Sequence, residues 1–111
     1  MSKILNLSNN IKINKNNLQD KFTFITKSTG SGSNPTFTLT QRVANSCVLI
    51  LVDYNCKCKA GMVIVHDNTT LRGTASIYGD LGLSVSGNTL TVTACAWSTV
   101  TLIDFNSNIW S

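Results

Sequence analysis

Hydrophobic and polar positions alternate with a period of two along most of this chain, the pattern of strands that lay one face on a core. "TFTLTQR" is the cleanest case: Phe37 and Leu39 fall on one side, Thr36, Thr38 and Thr40 on the other. "KFTFITKST" puts Phe22 and Phe24 together with Thr23 opposite. "GMVIVHD" is apolar from Met62 to Val65, and "TLRGTASIY", "LGLSVS", "NTLTVTACAW" and "TVTLIDF" follow at short spacing. "GSGSNP" (Gly30 to Pro35) is dense in turn formers, and "SGN" (Ser86 to Asn88) separates Val85 from Leu90 as a hairpin turn would. No segment carries apolar residues at i, i+3, i+4 and i+7 over three turns, so no helix is predicted. The spacing predicts an all-β fold: an antiparallel β-sandwich of about eight strands, jelly-roll-like or Greek-key in its connections.

Two segments, "SCVLILVDY" and "GMVIVHD", depart from simple alternation. "SCVLILVDY" is apolar on both sides, through Val48, Ile50 and Val52 on one face and Cys47, Leu49 and Leu51 on the other. A sandwich strand normally shows one face to water, so an antiparallel strand that is greasy on both sides needs a second cover. A neighbouring copy is the simplest one, which predicts a homo-oligomer with Leu49 and Leu51 at the interface. Residues 1–20 lack sustained alternation, and asparagines at positions 6, 9, 10, 14, 16 and 17 oppose regular structure. The chain is therefore divided into an extended N-terminal arm, residues 1–20, and a β-sandwich domain, residues 21–111.

Composition sharpens this picture. Among 111 residues there are 13 Asn, 12 Ser, 14 Thr and no glutamate, a bias toward strands and turns and away from helices. The charge is uneven. Five lysines stand against one aspartate in residues 1–27, while four cations balance four aspartates in the rest, so a neutral body follows a basic leader. Residues 1–20 have no arginine or aromatic residue, so nucleic acid is not the expected partner. "CVLILV" is far shorter than the ~20 residues that span a bilayer, and membrane insertion is not expected. The N-terminus lacks the apolar core of a secretory signal, so synthesis in a cytoplasm, with reduced thiols, is expected.

The candidate chemistry is thin. Cys56 and Cys58 lie one lysine apart in "DYNCKCKAG", and the single histidine, His66, follows beside Asp67. A structural zinc site takes four Cys or His ligands in suitably spaced pairs, and Cys47 and Cys95 sit in apolar strand patterns and form no second pair. The segment is read as a polar turn between two core strands, with Cys47 and Cys95 as small buried hydrophobes. A metal site, or a disulfide formed outside the cell, are the alternatives. The histidine has no nucleophile elbow to serve, the aspartates fall singly, and "STGSGSNP" lacks a phosphate-binding lysine. No cofactor is predicted, and the chain is not expected to be an enzyme.

"GDLGLSVSGNTLTVTACAWSTVTLIDF" (Gly79 to Phe105) resembles the closing segment of small β domains in tailed-phage virion proteins, and "FTFITKSTGSGSNPTFTLTQ…CVLILVDYN" resembles their opening strands. The resemblance implies a virion structural protein: a head-fibre, tail-fibre or decoration subunit, made in the host cytoplasm and resident in the particle. It implies a homotrimer and an arm, residues 1–20, that binds capsid or tail proteins. Trp97 and Trp110 join Leu49 and Leu51 as interface candidates, Trp110 as a cap on a neighbouring subunit. The alternative function is a carbohydrate-binding module that stacks exposed aromatics, above all Tyr54 and Tyr78, on host-surface glycans.

Overall fold

The structure is a computed structural model that describes residues 22–54, 57–66 and 70–111. The arm assigned to residues 1–20 lies outside the described residues. The fold is all-β, with nine strands in the described residues: β1 (Thr23–Ser28), β2 (Thr36–Gln41), β3 (Ser46–Tyr54), β4 (Lys57–Val65), β5 (Leu71–Tyr78), β6 (Gly82–Ser86), β7 (Thr89–Thr93), β8 (Thr99–Asp104) and β9 (Ile109–Trp110). They form a five-stranded sheet, β1-β8-β3-β4-β5, and a four-stranded sheet, β6-β7-β2-β9, and the strands pair antiparallel. β3, β4 and β5 follow one another as a meander, and β8 returns after the β6–β7 hairpin to lie beside β3. That order is a Greek key.

Alternation places the core where the chain pattern predicts it. Phe37 and Leu39 of β2 and Leu90 and Val92 of β7 face Val48, Ile50, Val63, Val100 and Leu102 of the larger sheet, all fully buried. Each contributes about 1.5–3 kcal/mol on removal from water. The β6–β7 turn is a two-residue loop between Ser86 and Thr89 with Gly87 at φ +58°, a conformation glycine takes without the clash a Cβ brings. Asn88 then pins this hairpin to β2, its Nδ2 donating to the Leu39 carbonyl at 3.0 Å while Leu39 N donates to the Asn88 carbonyl at 2.8 Å.

Two expectations are corrected. The polar stretch read as a long turn is mostly strand: β3 runs to Tyr54 and β4 starts at Lys57, with Asp53 paired to Cys58 and Val52 to Lys59. Backbone pairing with β3 carries β4 outward past the core, where its side chains no longer need to be apolar. Trp110 does not stand out to cap a neighbour. It is 6% exposed, and its indole Nε1 donates to Asp104 Oδ2 at 2.9 Å. β9 pairs with β2 through Leu39 and Trp110 and so swings the ring over its own core.

Asp104, wholly buried at the inner end of β8, is the hub of that closure. Its Oδ2 also accepts from Asn108 Nδ2 at 3.0 Å, and its Oδ1 from Asn106 N at 2.9 Å. Asn108 passes the network on, its Oδ1 accepting from Val43 N and Ala44 N and its Nδ2 donating to Ser46 Oγ at 2.9 Å. Buried polar groups in such a network are stable only while every partner is present. Asp104→Ala therefore should remove about 3 kcal/mol of stability by stranding the Trp110 and Asn108 donors, read as a lowered midpoint in urea unfolding. Gly61 is a second sensitive point, because a Cβ there would meet Leu83 Cδ1 at 2.6 Å and Leu81 Cδ2 at 3.1 Å. Gly61→Val is expected to cost about 1–3 kcal/mol through overpacking, whereas Gly73→Ala, whose Cβ meets only Ile64 Cδ1 at 3.9 Å, should be far milder in the same assay.

Candidate functional site

The β-sheet period that buries Val48, Ile50 and Val52 turns Cys47, Leu49 and Leu51 to the opposite face of the larger sheet. Registers align these with apolar residues on every neighbouring strand. Phe24 of β1 pairs with Ile103, Ile103 with Leu49, Leu49 with Met62, and Met62 with Ala75. One apolar row thus crosses all five strands. Beside it, Cys47 pairs with Ile64, and Phe22 packs edge-on against Phe105 with ring centroids 5.8 Å apart. Phe24 is 68% exposed, and Phe22, Phe105, Ile64 and Leu51 are also exposed. Exposed apolar side chains scattered singly mean little, but a contiguous patch of them marks a contact surface. Toward the Tyr54 end the face becomes polar, where Thr26 pairs with Thr101 and Asp53 with Thr99.

That end carries the concave features. A hollow of about 580 Å³ is lined by Leu51, Asp53, Cys58, Lys59, Ala60, Tyr78, Thr99 and Thr101, among others, and a second of about 580 Å³ by Lys57, Cys58, Lys59, Tyr78 and Gly79. Tyr78, 64% exposed, borders both. Gly79 explains its position. The chain turns there with φ +77°, and a Cβ would lie 3.0 Å from the Cys58 carbonyl oxygen, so only glycine lets the chain leave β5 this close to β4. Asp80 follows at φ +53°, and Leu81 N donates to Ser76 Oγ at 2.9 Å. The third hollow, about 190 Å³, opens between the sheets and is lined by Val52, Tyr54, Lys57, Lys59, Ala94, Cys95 and Ser98.

Trp97 stands at this same end, 73% exposed and at φ +62°, a backbone region that bulky residues rarely occupy. It lies in the loop between β7 and β8 and not on a strand. Thr29, almost fully buried, holds that loop: Thr29 Oγ1 donates to the Cys95 carbonyl at 2.7 Å and accepts from Ser98 N at 2.9 Å, while Trp97 N donates to the Gly30 carbonyl at 2.7 Å. An indole presented to solvent from a tied-down loop has the exposure and rigidity of a contact residue.

The residues singled out from the sequence therefore separate. Leu49 and Leu51 lie on the apolar face, Tyr78 and Trp97 at the polar end, and Trp110 inside the core. Tyr54, half-buried, faces the gap between the sheets, whereas Tyr78 borders the outer hollows, so the two tyrosines do not form one platform. Cys47, Cys58 and Cys95 are free and exposed. The expectation of buried Cys47 and Cys95 is corrected, since Cys47 takes the outward phase of β3 with its Sγ 3.4 Å from Met62 Sδ, and Cys95 sits in the loop after β7. Cys56 lies outside the described residues. Among the described residues no cluster of three or more His, Cys, Asp or Glu side chains could hold a metal ion, and no helix is long and apolar enough to cross a membrane.

No family model matches the chain, and neither curated proteins nor solved structures give a match.

The clamp on the Trp97 loop can be tested directly. Thr29→Val keeps the shape of the side chain but removes the hydroxyl's bonds to Cys95 and Ser98. It should cost about 1–2 kcal/mol in urea unfolding and speed amide hydrogen exchange at Trp97 and Ser98 while leaving β3 and β4 protected.

Proposed function

We propose that this chain is a structural subunit of a phage particle that works as a homo-oligomer, its copies packed through the outer face of the five-stranded sheet. The observation that carries this reading is the apolar row Phe24–Ile103–Leu49–Met62–Ala75 on a face that the second sheet leaves uncovered. Burial of such a face is favourable in proportion to its apolar area, and copies of one chain present it at equal concentration. The resemblance of Gly79 to Phe105 to virion β domains supports the particle, the trimer and the role of residues 1–20 as the anchoring arm. A second reading, contact with host-surface glycans, draws on Tyr78, an exposed ring at the border of two hollows.

Light scattering coupled to size exclusion tests the assembly. The protein should elute with the mass of three chains. The double variant Phe24→Lys with Leu49→Lys should shift at least tenfold in concentration toward monomer, since each buried lysine adds more than the 1.4 kcal/mol that a factor of ten requires. A wild-type monomer at all concentrations would refute the reading. Deleting residues 1–20 should leave the oligomer intact and abolish its attachment to particles, measured by co-sedimentation.

A further inference from the structure

Two loops meet at the end of the sandwich where Trp97 stands, one between β1 and β2 (residues 29–35) and one between β7 and β8 (residues 94–98). Hydrogen bonds lace them together. Thr29 N donates to the Ser98 carbonyl at 3.0 Å, Trp97 N to the Gly30 carbonyl at 2.7 Å and Ala94 N to Asn34 Oδ1 at 3.3 Å. Trp97 holds φ +62° with its side chain 73% exposed. A left-handed backbone under a bulky side chain is strained, and an indole left in water recovers little of that strain through burial. Fold stability alone would favour glycine or asparagine at this position. Its neighbours in the two loops, Gly30, Gly32 and Ala96, are small, and a Cβ at Gly30 would meet nothing within 4 Å. Neither loop contains a charged residue, and Lys57 and Lys59 line a hollow that Trp97 does not. Ser31 and Asn34 are exposed. Among the described residues the Ser31 hydroxyl, Asn34 Nδ2 and Trp97 Nε1 make no hydrogen bond.

We propose that Trp97 is a stacking platform for a neutral pyranose ring, with Ser31 and Asn34 of the adjoining loop and the indole Nε1 available to its hydroxyls. The face of the indole carries the negative part of its quadrupole, which suits the axial C–H groups of a glucose-type ring. The equatorial hydroxyls at the rim of that ring call for small neutral donors and acceptors, which serine and asparagine supply. An acidic ligand finds no cation in either loop. A second copy of the chain fits less well. The apolar row crosses β8 at Ile103, four residues beyond Thr99, or about 13 Å along the strand. A tryptophan that anchors a protein interface is also ringed by further contact side chains, and here the ring stands among glycines and an alanine. This inference rests on the glycan-contact reading, makes Trp97 the contact in place of Tyr78 and narrows the ligand to neutral sugars.

Trp97 and Trp110 are the two tryptophans of the chain, and Trp110 is buried, so acrylamide quenching of the full chain's fluorescence reports on Trp97. Cellotriose and chitotriose should shield it in a saturable titration that is the same between about 50 and 500 mM salt. Sorbitol, which has the hydroxyls without a ring face, should not shield it. Calorimetry with the same sugars should show binding weakened about tenfold or more in Trp97→Asn and only a few-fold in Trp97→Phe. The oligomer mass should be unchanged in both. The urea midpoint of Trp97→Asn should be no lower than that of the unmodified chain, because asparagine tolerates the left-handed region. Unchanged binding in Trp97→Asn, or equal shielding by sorbitol, would overturn the platform and leave the broader glycan reading standing. Failure of both sugars to bind would overturn both. A lower midpoint or a smaller oligomer in Trp97→Asn would reassign the ring to packing or assembly and overturn the proposal.

Discussion

The structure depends on one constraint: the strands at the centre of the larger sheet are apolar on both faces, and the smaller sheet covers only one. β3 buries Val48, Ile50 and Val52 against β2 and β7 and turns Cys47, Leu49 and Leu51 outward. A one-residue slip of β3 would exchange the two sets. In many sandwiches such a slip is forbidden by polar outward residues, but here both sets are greasy. Register is instead held by β8, which pairs with β3 from Val48 to Asp53 and whose inward Val100 and Leu102 alternate with outward Thr99 and Thr101. The apolar outer face thus comes from the same pattern that builds the core.

The two ends of the sandwich solve different problems. At one end the hub of Asp104, Asn108 and Trp110 closes the gap between the sheets with buried hydrogen bonds. This end is tied to β2 by β9 and is built for rigidity. At the other end β4 runs past the last pairing with β5, at Ala60 and Tyr78, and the loop carrying Trp97 is held by Thr29. Tyr54, Lys57, Lys59, Tyr78, Trp97 and Ser98 collect there. The apolar row and the hollows are separated along the strands, with Leu51 at the boundary.

The candidate site was legible in part. Two-sided apolarity in "SCVLILVDY" is visible without coordinates, and it identified Leu49 and Leu51 as outward residues. Tyr78 could be named as an exposed aromatic, but the two hollows it borders depend on how closely the chain passes β4 at Gly79. Trp110 was misread because a tryptophan near the C-terminus gives no sign of the strand that folds it back over Asp104. The buried Ser98 was not found, for it is one hydroxyl among many in a chain rich in serine and threonine. The only signal was its place in "CAWST", between a tryptophan and a strand. Cys47 was misassigned for a related reason: periodicity defines two faces of a strand but does not say which one the second sheet will cover.

By itself the sequence determined the all-β class, the inward face of β2 and the hairpin at Gly87, because alternation and turn chemistry act over a few neighbouring residues. Only the tertiary structure decided that β8 inserts between β1 and β3, that five apolar side chains align into one row, and that Asp104 meets Trp110 and Ser98 shares a hollow with Lys59. These depend on pairings between segments far apart in the chain. Local pattern carries no record of them, since it is the packing of the whole sandwich that brings those segments together.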